Sequence, residues 1–395
     1  MTVIEATYRI VTPMFCAGAD QQRAELRLPS FKGALRFWWR SLMWGQVKDH
    51  RELREKEAAL FGASESAVGQ SKVKLRIVDV QLGRTLRPRK RIIKDGGSGL
   101  AYLGYGVINY NGKLQRPAID GGSFTVECRF SRKATDEQVE QVGRAISLLG
   151  TVGGIGSRSR KGFGSLTLVA LKQNGRLVDL ETAPDTAIGK ALGELPEGEP
   201  SWTAWSKESR VLCFSVKGLR PTRLLDRYGG LMSDFRFWHG AGRSQFRNDH
   251  DMLYDYLTTG QEPPRPPERI AFGLPHNYFF KSLSDRRAKR FVKAEVTPEK
   301  KPQGTELTRR ASPLFFHVHQ TENENPVGVV AFLPSLFLPE PARVTIADTS
   351  SGKGLNRRRY RPVVSDLPQK PLWQPIERFL DHLEEQLDAQ ELSLG

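Results

Sequence analysis

Residues 136–171 read DEQVEQVGRAISLLGTVGGIGSRSRKGFGSLTLVAL, and this stretch decides the fold. Its first part predicts a helix over 136–151, because Val139, Val142, Ile146 and Leu149 recur at the spacing of one helix face. A glycine-rich segment, 153–164, follows the helix and leads into SLTLVAL, an apolar run typical of a strand. The chain is therefore expected to pass from a helix to a strand through a glycine-rich loop.

The segments that precede this stretch complete the order of elements. Alternating side chains predict strands at 3–11, 71–82 and 123–130, and 84–122 is interpreted as an insertion. A helix is predicted from residue 31, with Ser30 placed to cap it, and a second short helix over 49–61. The face of the first helix is formed by Phe31, Leu35, Trp38 and Leu42. The order strand, helix, strand, strand, helix, strand predicts an α+β, ferredoxin-like domain.

The second half of the chain is predicted to hold a similar domain. Segment 179–201 contains few large apolar residues and is interpreted as a linker between domains at 1–178 and 202–395. Strand-like segments resume at RVLCFSV, PLFFHVH and VGVVAFL. The closing helix is amphipathic and acidic, with an apolar stripe of Ile376, Phe379, Leu380, Leu383 and Leu387. Packing on its own domain and docking to a neighbouring subunit are two interpretations of that stripe.

Composition favours a nucleic-acid partner. Lys and Arg number 60 against 44 Asp and Glu, a formal net charge of +16 that attracts polyanions. No apolar run reaches the about 18 residues of a membrane span, and the first residues lack the layout of a signal peptide, so a cytoplasmic protein without membrane contact is expected. Cys16, Cys128 and Cys213 are far apart, which argues against disulfides and zinc. We expect no metal and no other cofactor.

The glycine-rich loop at 153–164 is the strongest candidate for a binding site. Gly154, Gly156 and Gly162 would let the backbone approach a ligand closely. The interleaved cations, Arg158, Arg160 and Lys161, would neutralise phosphates of an RNA backbone. Dinucleotide and Walker A motifs both precede a helix, whereas this loop is expected to precede a strand, so neither motif fits. The alternative is a glycine-rich turn without a ligand.

A second candidate lies on the helix that begins near residue 31. Lys32, Arg36 and Arg40 recur every four residues and are predicted to form a basic stripe that faces RNA phosphates. Trp39 beside the stripe, or Phe163 in the loop, is a candidate for stacking on an unpaired base. The alternatives are a solvated helix face and a core tryptophan. Basic clusters at 84–94, 285–290 and 357–361 are second-tier RNA contacts.

An enzymatic function has little positive support in the sequence. Metal-independent RNA cleavage needs a general base and a general acid, and no histidine is adjacent to the glycine-rich loop in sequence. His317 and His319 are at strand spacing and would share a face, either as structural residues or for metal binding or acid–base work. We therefore predict no catalytic and no metal-binding residues.

Three segments in order, RIVTPMFCAGAD, LRLPSFKGALRFWWRSL and GGIGSRSRKGFGSL, resemble the RAMP superfamily, in particular the first subunit of type III-B CRISPR Cmr effector complexes. The resemblance covers about 7–171 and is looser after it; Lys161 departs from a frequent Arg, and 220–267 does not align. It implies two tandem ferredoxin-like, RRM-related domains. It also implies that Lys32, Arg36, Arg40 and the glycine-rich loop face RNA.

The resemblance further implies a non-catalytic, RNA-binding subunit in antiviral defence. Such a subunit caps the end of a ribonucleoprotein that holds the 3′ part of the guide CRISPR RNA and the 5′ part of the complementary target RNA. Its partners would be these two RNAs and the other Cmr subunits, which carry the nuclease activity. The alternative function is a RAMP-type, metal-independent endoribonuclease that processes guide RNA precursors.

Overall fold

The computed structural model describes residues 1–63, 70–93, 97–237, 244–285, 287, 289–299, 307–321, 324–352, 360–368 and 372–394. The chain divides into two compact units. The first unit comprises Met1–Leu231, Leu314–Ser335 and Leu383–Gly395, and the second comprises Met232–Pro313 and Leu336–His382.

The first unit contains a five-stranded antiparallel sheet in which the first strand is central. The elements are β1 (Val3–Ile10), α1 (Leu28–Leu42), α2 (His50–Phe61), β2 (Val73–Leu86), α3 (Ser98–Leu103), β3 (Ala118–Phe130), α4 (Asp136–Leu149), β4 (Leu166–Gln173), β5 (Arg176–Leu177) and α5 (Pro184–Leu192). The strands lie in the order β2-β3-β1-β4-β5, and α1 and α4 contact each other. The predicted order of strand, helix, strand, strand, helix, strand is confirmed.

One face of β1 supplies the centre of the core. Its side chains alternate between buried and partly exposed, as the period of a strand dictates. Tyr8 is fully buried, its ring lies 5.5 Å from that of Phe31 in α1, and its hydroxyl donates to the carbonyl of Ile146 in α4 at 2.9 Å. The apolar faces predicted for α1 and α4 therefore pack on the sheet.

A second sheet repeats the strand order of the first. Its strands and the helices in the same part of the chain are β6 (Arg210–Ser215), α6 (Pro221–Arg236), β9 (Leu314–His319), β10 (Val327–Phe332), α8 (Gln374–Leu387) and β13 (Gln390–Glu391). The strands lie in the order β13-β6-β10-β9, so the first strand in the chain, β6, lies between the third and the last, as β1 lies between β3 and β4. The predicted second domain of the same fold class thus has a matching sheet.

The second unit has its own sheet and core. The elements are α7 (Arg247–Thr259), a short 3₁₀ helix (Glu268–Phe272), β7 (His276–Phe279), β8 (Lys293–Pro298), β11 (Arg343–Asp348) and β12 (Val363–Asp366). The four strands are antiparallel, in the order β12-β11-β8-β7. Leu253 and Tyr256 of α7 are buried with Val296 of β8 and Ile346 of β11.

The boundaries of several elements differ from those predicted. Helix α1 begins at Leu28 with Arg27 at the N-cap, so Ser30 lies in the first turn and does not cap the helix. Proline at the start of α1 explains the shift, because it needs no hydrogen-bond acceptor and is favoured in the first turn. Strands β2 and β3 extend into the insertion, since residues from Gly122 back to Ala118 pair with Leu82–Leu86.

The predicted linker contains a packed helix, and the closing helix is packed as well. The predicted linker, 179–201, contains α5, whose Ile188 and Leu192 are buried in the core of the first unit. The two compact units do not follow the predicted division at 1–178 and 202–395, since the first unit includes segments from both halves of the chain. The division into two sequence domains stays a prediction. The apolar stripe of α8 is buried along its length, as expected for a helix packed on its own chain.

Candidate nucleic-acid interface

A groove of about 490 Å³ lies between α1 and the glycine-rich loop in the first unit. One wall is the face of α1 that carries Ala34 and Phe37, and the other is the loop from Gly153 to Arg160. A pocket of this size is within the range that binds small ligands or single nucleotides. The lining residues that the argument uses are Ser30, Phe37, Arg116, Ser157, Arg160 and Phe315.

The glycines shape the loop around the protein's own backbone. A Cβ on Gly154 would lie 2.7 Å from the carbonyl oxygen of Gly164, and one on Gly156 would lie 2.6 Å from that of Phe15. A Cβ on Gly162 would meet Leu225 and Phe316 at 2.7 Å. A side chain at any of these three positions would therefore collide with the protein itself. Gly154 and Gly156 also line the groove, and close approach of an RNA backbone to the three glycines stays a prediction.

Strand β9 holds the loop in place across a long sequence separation. The backbone N–H of Phe316 donates to the carbonyl of Arg160 at 3.0 Å, and His317 Nδ1 lies 2.7 Å from the carbonyl oxygen of Gly153. Thr12, which follows β1, donates through its hydroxyl to the carbonyl of Gly162 at 2.6 Å. These hydrogen bonds hold the loop at its first residue and at two positions near its end. The backbone that carries its basic side chains is therefore fixed.

The histidine pair of β9 is structural. His317 is fully buried, and because a carbonyl oxygen only accepts, its Nδ1 carries the proton of a neutral ring. Burial, aided by the neighbouring His319, lowers the pKa of His317 to about 3. His319 Nε2 likewise bonds the carbonyl of Thr182 at 3.0 Å, and burial lowers its pKa. Neither ring lines the groove.

Arg160 lines the groove and contacts two aromatic rings. Its guanidinium carbon lies 4.4 Å from the ring centre of Phe315 and 5.1 Å from that of Phe37. Such cation–π contacts hold the guanidinium plane in a fixed place while its charge is kept. Arg158, in the left-handed backbone region at φ 66°, brings a guanidinium nitrogen close to Gly106 of the insertion. Arg116 lines the groove from the end of that insertion.

The basic stripe of α1 lies on a different face from the groove. Lys32 and Arg36 line a separate pocket between α1 and α2, whereas Ala34 and Phe37 line the groove. Lys32 Nζ donates to the carbonyl of Phe61 at 2.8 Å, and burial, with the nearby Arg36, lowers its pKa. The structure therefore does not bring the stripe and the glycine-rich loop together on one surface.

The arginines of the stripe are engaged by one carboxylate. Arg36 Nε lies 2.7 Å from Glu57 Oε1, and Arg40 bonds to the same oxygen. Glu57 is almost completely buried in α2, so the two ion pairs join α1 to α2. A direct role of these arginines in RNA binding stays a prediction that now competes with an observed structural role.

Both aromatic rings predicted to stack on a base are buried. Trp39 is 1% exposed, and its Nε1 donates to Gln141 Oε1 at 3.3 Å. Phe163 is fully buried, with its ring 5.4 Å from that of Phe15. A buried ring offers no face to a base, so the stacking role is corrected for both residues, and the alternative of a core tryptophan is supported for Trp39.

The sequence interpretation missed two residues that line the groove, Phe37 and Arg116, and one exposed residue of the insertion, Tyr105. Phe37 lies beside two larger aromatic residues in the sequence, and its place on the groove face follows only from the rotation of α1. Arg116 and the 76% exposed Tyr105 belong to the insertion, which was considered only as a basic cluster. An aromatic residue among cations outside a regular element was the available signal.

The remaining predictions concern metal ligands, membrane-spanning helices and the basic clusters. Among the described residues no group of three or more His, Cys, Asp or Glu side chains could hold a metal ion. In the same part of the chain no helix is long and apolar enough to cross a membrane. Of the basic clusters, Lys94, Arg286 and Arg357–Arg359 lie outside the described residues.

Comparison with known proteins gives consistent similarities. Residues 7–167 match the RAMP superfamily. The chain is 25% identical over 337 residues to CRISPR system Cmr subunit Cmr1-1 of Pyrococcus furiosus, which covers 82% of this chain and 85% of that protein. It is 30% identical over 176 residues to Cmr1-2 of the same organism, 41% of this chain and 93% of that protein.

Solved structures share the fold. The crystal structure of apo Cmr1 from Pyrococcus furiosus matches with a TM-score of 0.53 at 18% identity, and 100% of each chain is covered. A chain of the cryo-EM structure of Type III-B Cmr-beta bound to cognate target RNA matches with a TM-score of 0.50 at 12% identity, over 96% of this chain and 99% of that one. At these identities the matches establish the architecture alone.

Proposed function

Since this chain belongs to the RAMP superfamily, and within it to the Cmr1 family, we propose that it is an RNA-binding subunit of a type III-B CRISPR Cmr complex. The observation that carries the proposal is the groove between α1 and the glycine-rich loop, which joins a fixed guanidinium, Arg160, to a partly exposed ring, Phe37. A related structure is described as Type III-B Cmr-beta bound to cognate target RNA, which supports the same partner for this chain.

The chemistry of the groove suits a single RNA strand. Arg116 and Arg160 supply positive charge for phosphates, and Ser30 and Ser157 supply hydroxyls that donate to or accept from a base or a ribose. Phe37 and the Arg160 guanidinium plane offer surfaces on which an unpaired base can stack. Arg158 and Lys161 continue the positive charge along the loop.

We propose binding without cleavage. Metal-independent cleavage of RNA needs an acid and a base at the 2′-hydroxyl and the leaving oxygen. The described groove lining contains no histidine, and His317 and His319 are committed to backbone carbonyls. The endoribonuclease alternative would have to recruit these buried rings, whose pKa values are lowered by burial.

The finer role follows from the family. We propose that this cytoplasmic subunit caps the complex at the end that holds the 3′ part of the guide RNA and the 5′ part of the target RNA, in antiviral defence. The partners are these two RNAs and the other Cmr subunits. Crosslinking of the assembled complex tests the role: crosslinks from the groove to the 3′ part of the guide support it, and crosslinks to the 5′ part contradict it.

The salt dependence of binding tests the groove. Affinity for a single strand should fall with salt at a log–log slope of about −0.7 per phosphate neutralised. We expect Arg158→Ala with Arg160→Ala to weaken binding and to make the slope shallower by about 1.4. The matched control is Arg132→Ala with Lys133→Ala, two exposed cations after β3, at the opposite end of the sheet from the groove.

Equal losses in both double variants would show that charge alone attracts RNA and would contradict the groove assignment. Incubation of the isolated full-length chain with repeat-containing RNA gives the second test. Intact RNA is expected; cleavage at one position without metal, abolished by His317→Gln, would favour the processing enzyme.

A further inference from the structure

The insertion between β2 and β3 carries the most exposed aromatic side chains of the described residues. Tyr105 is 76% exposed and Tyr110 is 90% exposed, whereas the next most exposed described rings, Phe279 and Phe237, are about half exposed. Leaving a large ring in water forgoes about 1.5–3 kcal/mol of burial free energy, so a fully exposed ring indicates a binding surface more often than a folding role.

The described part of the insertion itself carries charge of one sign. The described residues of 84–116 include no Asp or Glu. Their cations are Arg84, Arg87, Arg89, Lys90, Arg91, Lys113 and Arg116. Exposed aromatic rings interleaved with cations form the surface that binds single-stranded nucleic acid without sequence preference, because every base has a face that stacks.

The insertion contacts the glycine-rich loop at one point and lines the groove at another. A guanidinium nitrogen of Arg158 lies 3.4 Å from the position that a Cβ on Gly106 would take, and Gly106 directly follows Tyr105. At the other end of the insertion, Arg116 and Pro117 line the groove itself. The residue that directly follows Tyr105 is therefore next to a loop arginine to which the proposed function assigns a phosphate.

The backbone around Tyr105 is held without help from its ring. The N–H groups of Val107 and Ile108 donate to the carbonyl of Gly104 at 2.8 and 2.7 Å, which closes a turn around Tyr105 and Gly106. Leu103 and Ile108, on either side of the turn, are buried. The ring is thus presented to solvent by a fixed turn, and its removal should leave the fold intact.

We propose that Tyr105 is a base-stacking residue that extends the RNA site from the groove onto the insertion. The phosphate of the nucleotide concerned is bound by Arg158, and its base lies on the Tyr105 ring. The inference rests on the proposed function, because it places a second contact on the same RNA strand. It assigns to the insertion the stacking role that the buried Trp39 and Phe163 leave vacant.

The test is equilibrium binding of a fluorescent oligouridine of about twelve nucleotides to the full-length chain. Stacking is worth about 1–3 kcal/mol per base, so Tyr105→Ala should weaken binding about five- to 150-fold without a change in the salt slope. Tyr105→Phe keeps the ring and should bind within about two-fold of the original chain. Phe279→Ala, a 51% exposed ring in the second unit, is the matched control and should have no effect.

An abasic oligonucleotide separates stacking from every other contribution. On this strand Tyr105→Ala and the original chain should bind equally, since the base that the ring contacts is gone. Full affinity of Tyr105→Ala for oligouridine, with a slope that still depends on Arg158 and Arg160, overturns the inference and leaves the proposed function standing. Absence of RNA binding by the original chain overturns both.

Discussion

Glu57 and Arg36 are joined by an ion pair of 2.7 Å between the carboxylate Oε1 and the guanidinium Nε, and Arg40 bonds to the same oxygen. The side chain of Glu57 is 9% exposed, while each arginine is about one-third exposed. A carboxylate held away from water needs these partners, and the arginines thereby fix α2 on α1. Arg36 and Arg40, which the sequence pattern assigned to a phosphate-binding stripe, are thus part of the contact between α1 and α2.

Replacement of both arginines, Arg36→Ala with Arg40→Ala, should lower the free energy of unfolding by about 2 kcal/mol, because the buried carboxyl group of Glu57 loses both partners. The figure is below that of a fully buried pair since the arginines are partly in water. Urea unfolding measures the loss, and RNA binding of the folded variant should keep its salt slope. A slope made shallower by about 1.4 would instead assign both arginines to phosphates.

Acid should destabilise the protein through His317. Its pKa is lowered to about 3 in the folded chain and is near 6.5 when unfolded, so between these values the unfolded state binds more protons. The contribution of the buried, neutral His317 ring to the free energy of unfolding is complete above about pH 6.5 and is lost as the pH falls. At pH 5 the loss is about 2 kcal/mol.

His317→Gln removes this titration and keeps a donor for the carbonyl of Gly153. Urea unfolding at pH 7 and pH 5 should show a smaller acid loss for the variant than for the original chain. Parallel losses would mean that His317 is accessible to protons in the folded state, which would reopen the acid–base alternative.

Gly164→Ala should disrupt the glycine-rich loop. Gly164 has φ 65°, and a Cβ there would clash with the carbonyl oxygen of Ile155, a backbone atom that cannot move freely. We expect a loss of more than about 2 kcal/mol in unfolding free energy, combining backbone strain and the clash. Gly112→Ala is the control, because φ is 73° with open space around it, and about 1 kcal/mol is expected. Equal losses would contradict the clash.

Asp249→Ala should destabilise the second unit. The side chain of Asp249 is 1% exposed and accepts from the backbone N–H groups of Glu268 and Arg269 at 2.9 and 3.0 Å. Removal of the carboxylate leaves both donors buried, at a cost of about 3 kcal/mol. Asp251→Ala, half-exposed on the same helix, should change the stability by less than about 1 kcal/mol. Differential scanning calorimetry measures both variants.

The fold was largely predictable because its signals are local. The spacing of Phe31, Leu35, Trp38 and Leu42 places one face of α1 on the sheet, and all four residues are buried. The same periodicity identified α4, whose capping box at Thr135 and Gln138 fixes its start. Helix α5 was missed, since its small residues, Ala187 and Ala191, give a weak apolar pattern that gains its stability only from tertiary packing.

The candidate site was predictable in part. The loop at 153–164 was identified by composition, but the atoms that surround Gly156 and Gly162 come from residues distant in the sequence. The rotation of α1 decides that Phe37, not Arg36, faces the groove, and no pattern on the helix distinguishes the two sides. Tyr105 acquires its position from the folded insertion, through contacts that a linear sequence does not contain.

The bond between His317 and the carbonyl of Gly153 joins residues 164 positions apart in the chain. During synthesis, at about 5–20 residues per second, the loop is made roughly ten to thirty seconds before the strand that pins it. A nascent chain that has emerged only through the first sheet therefore carries the loop's arginines without their anchor. The loop therefore reaches its final arrangement only after β9 has been made.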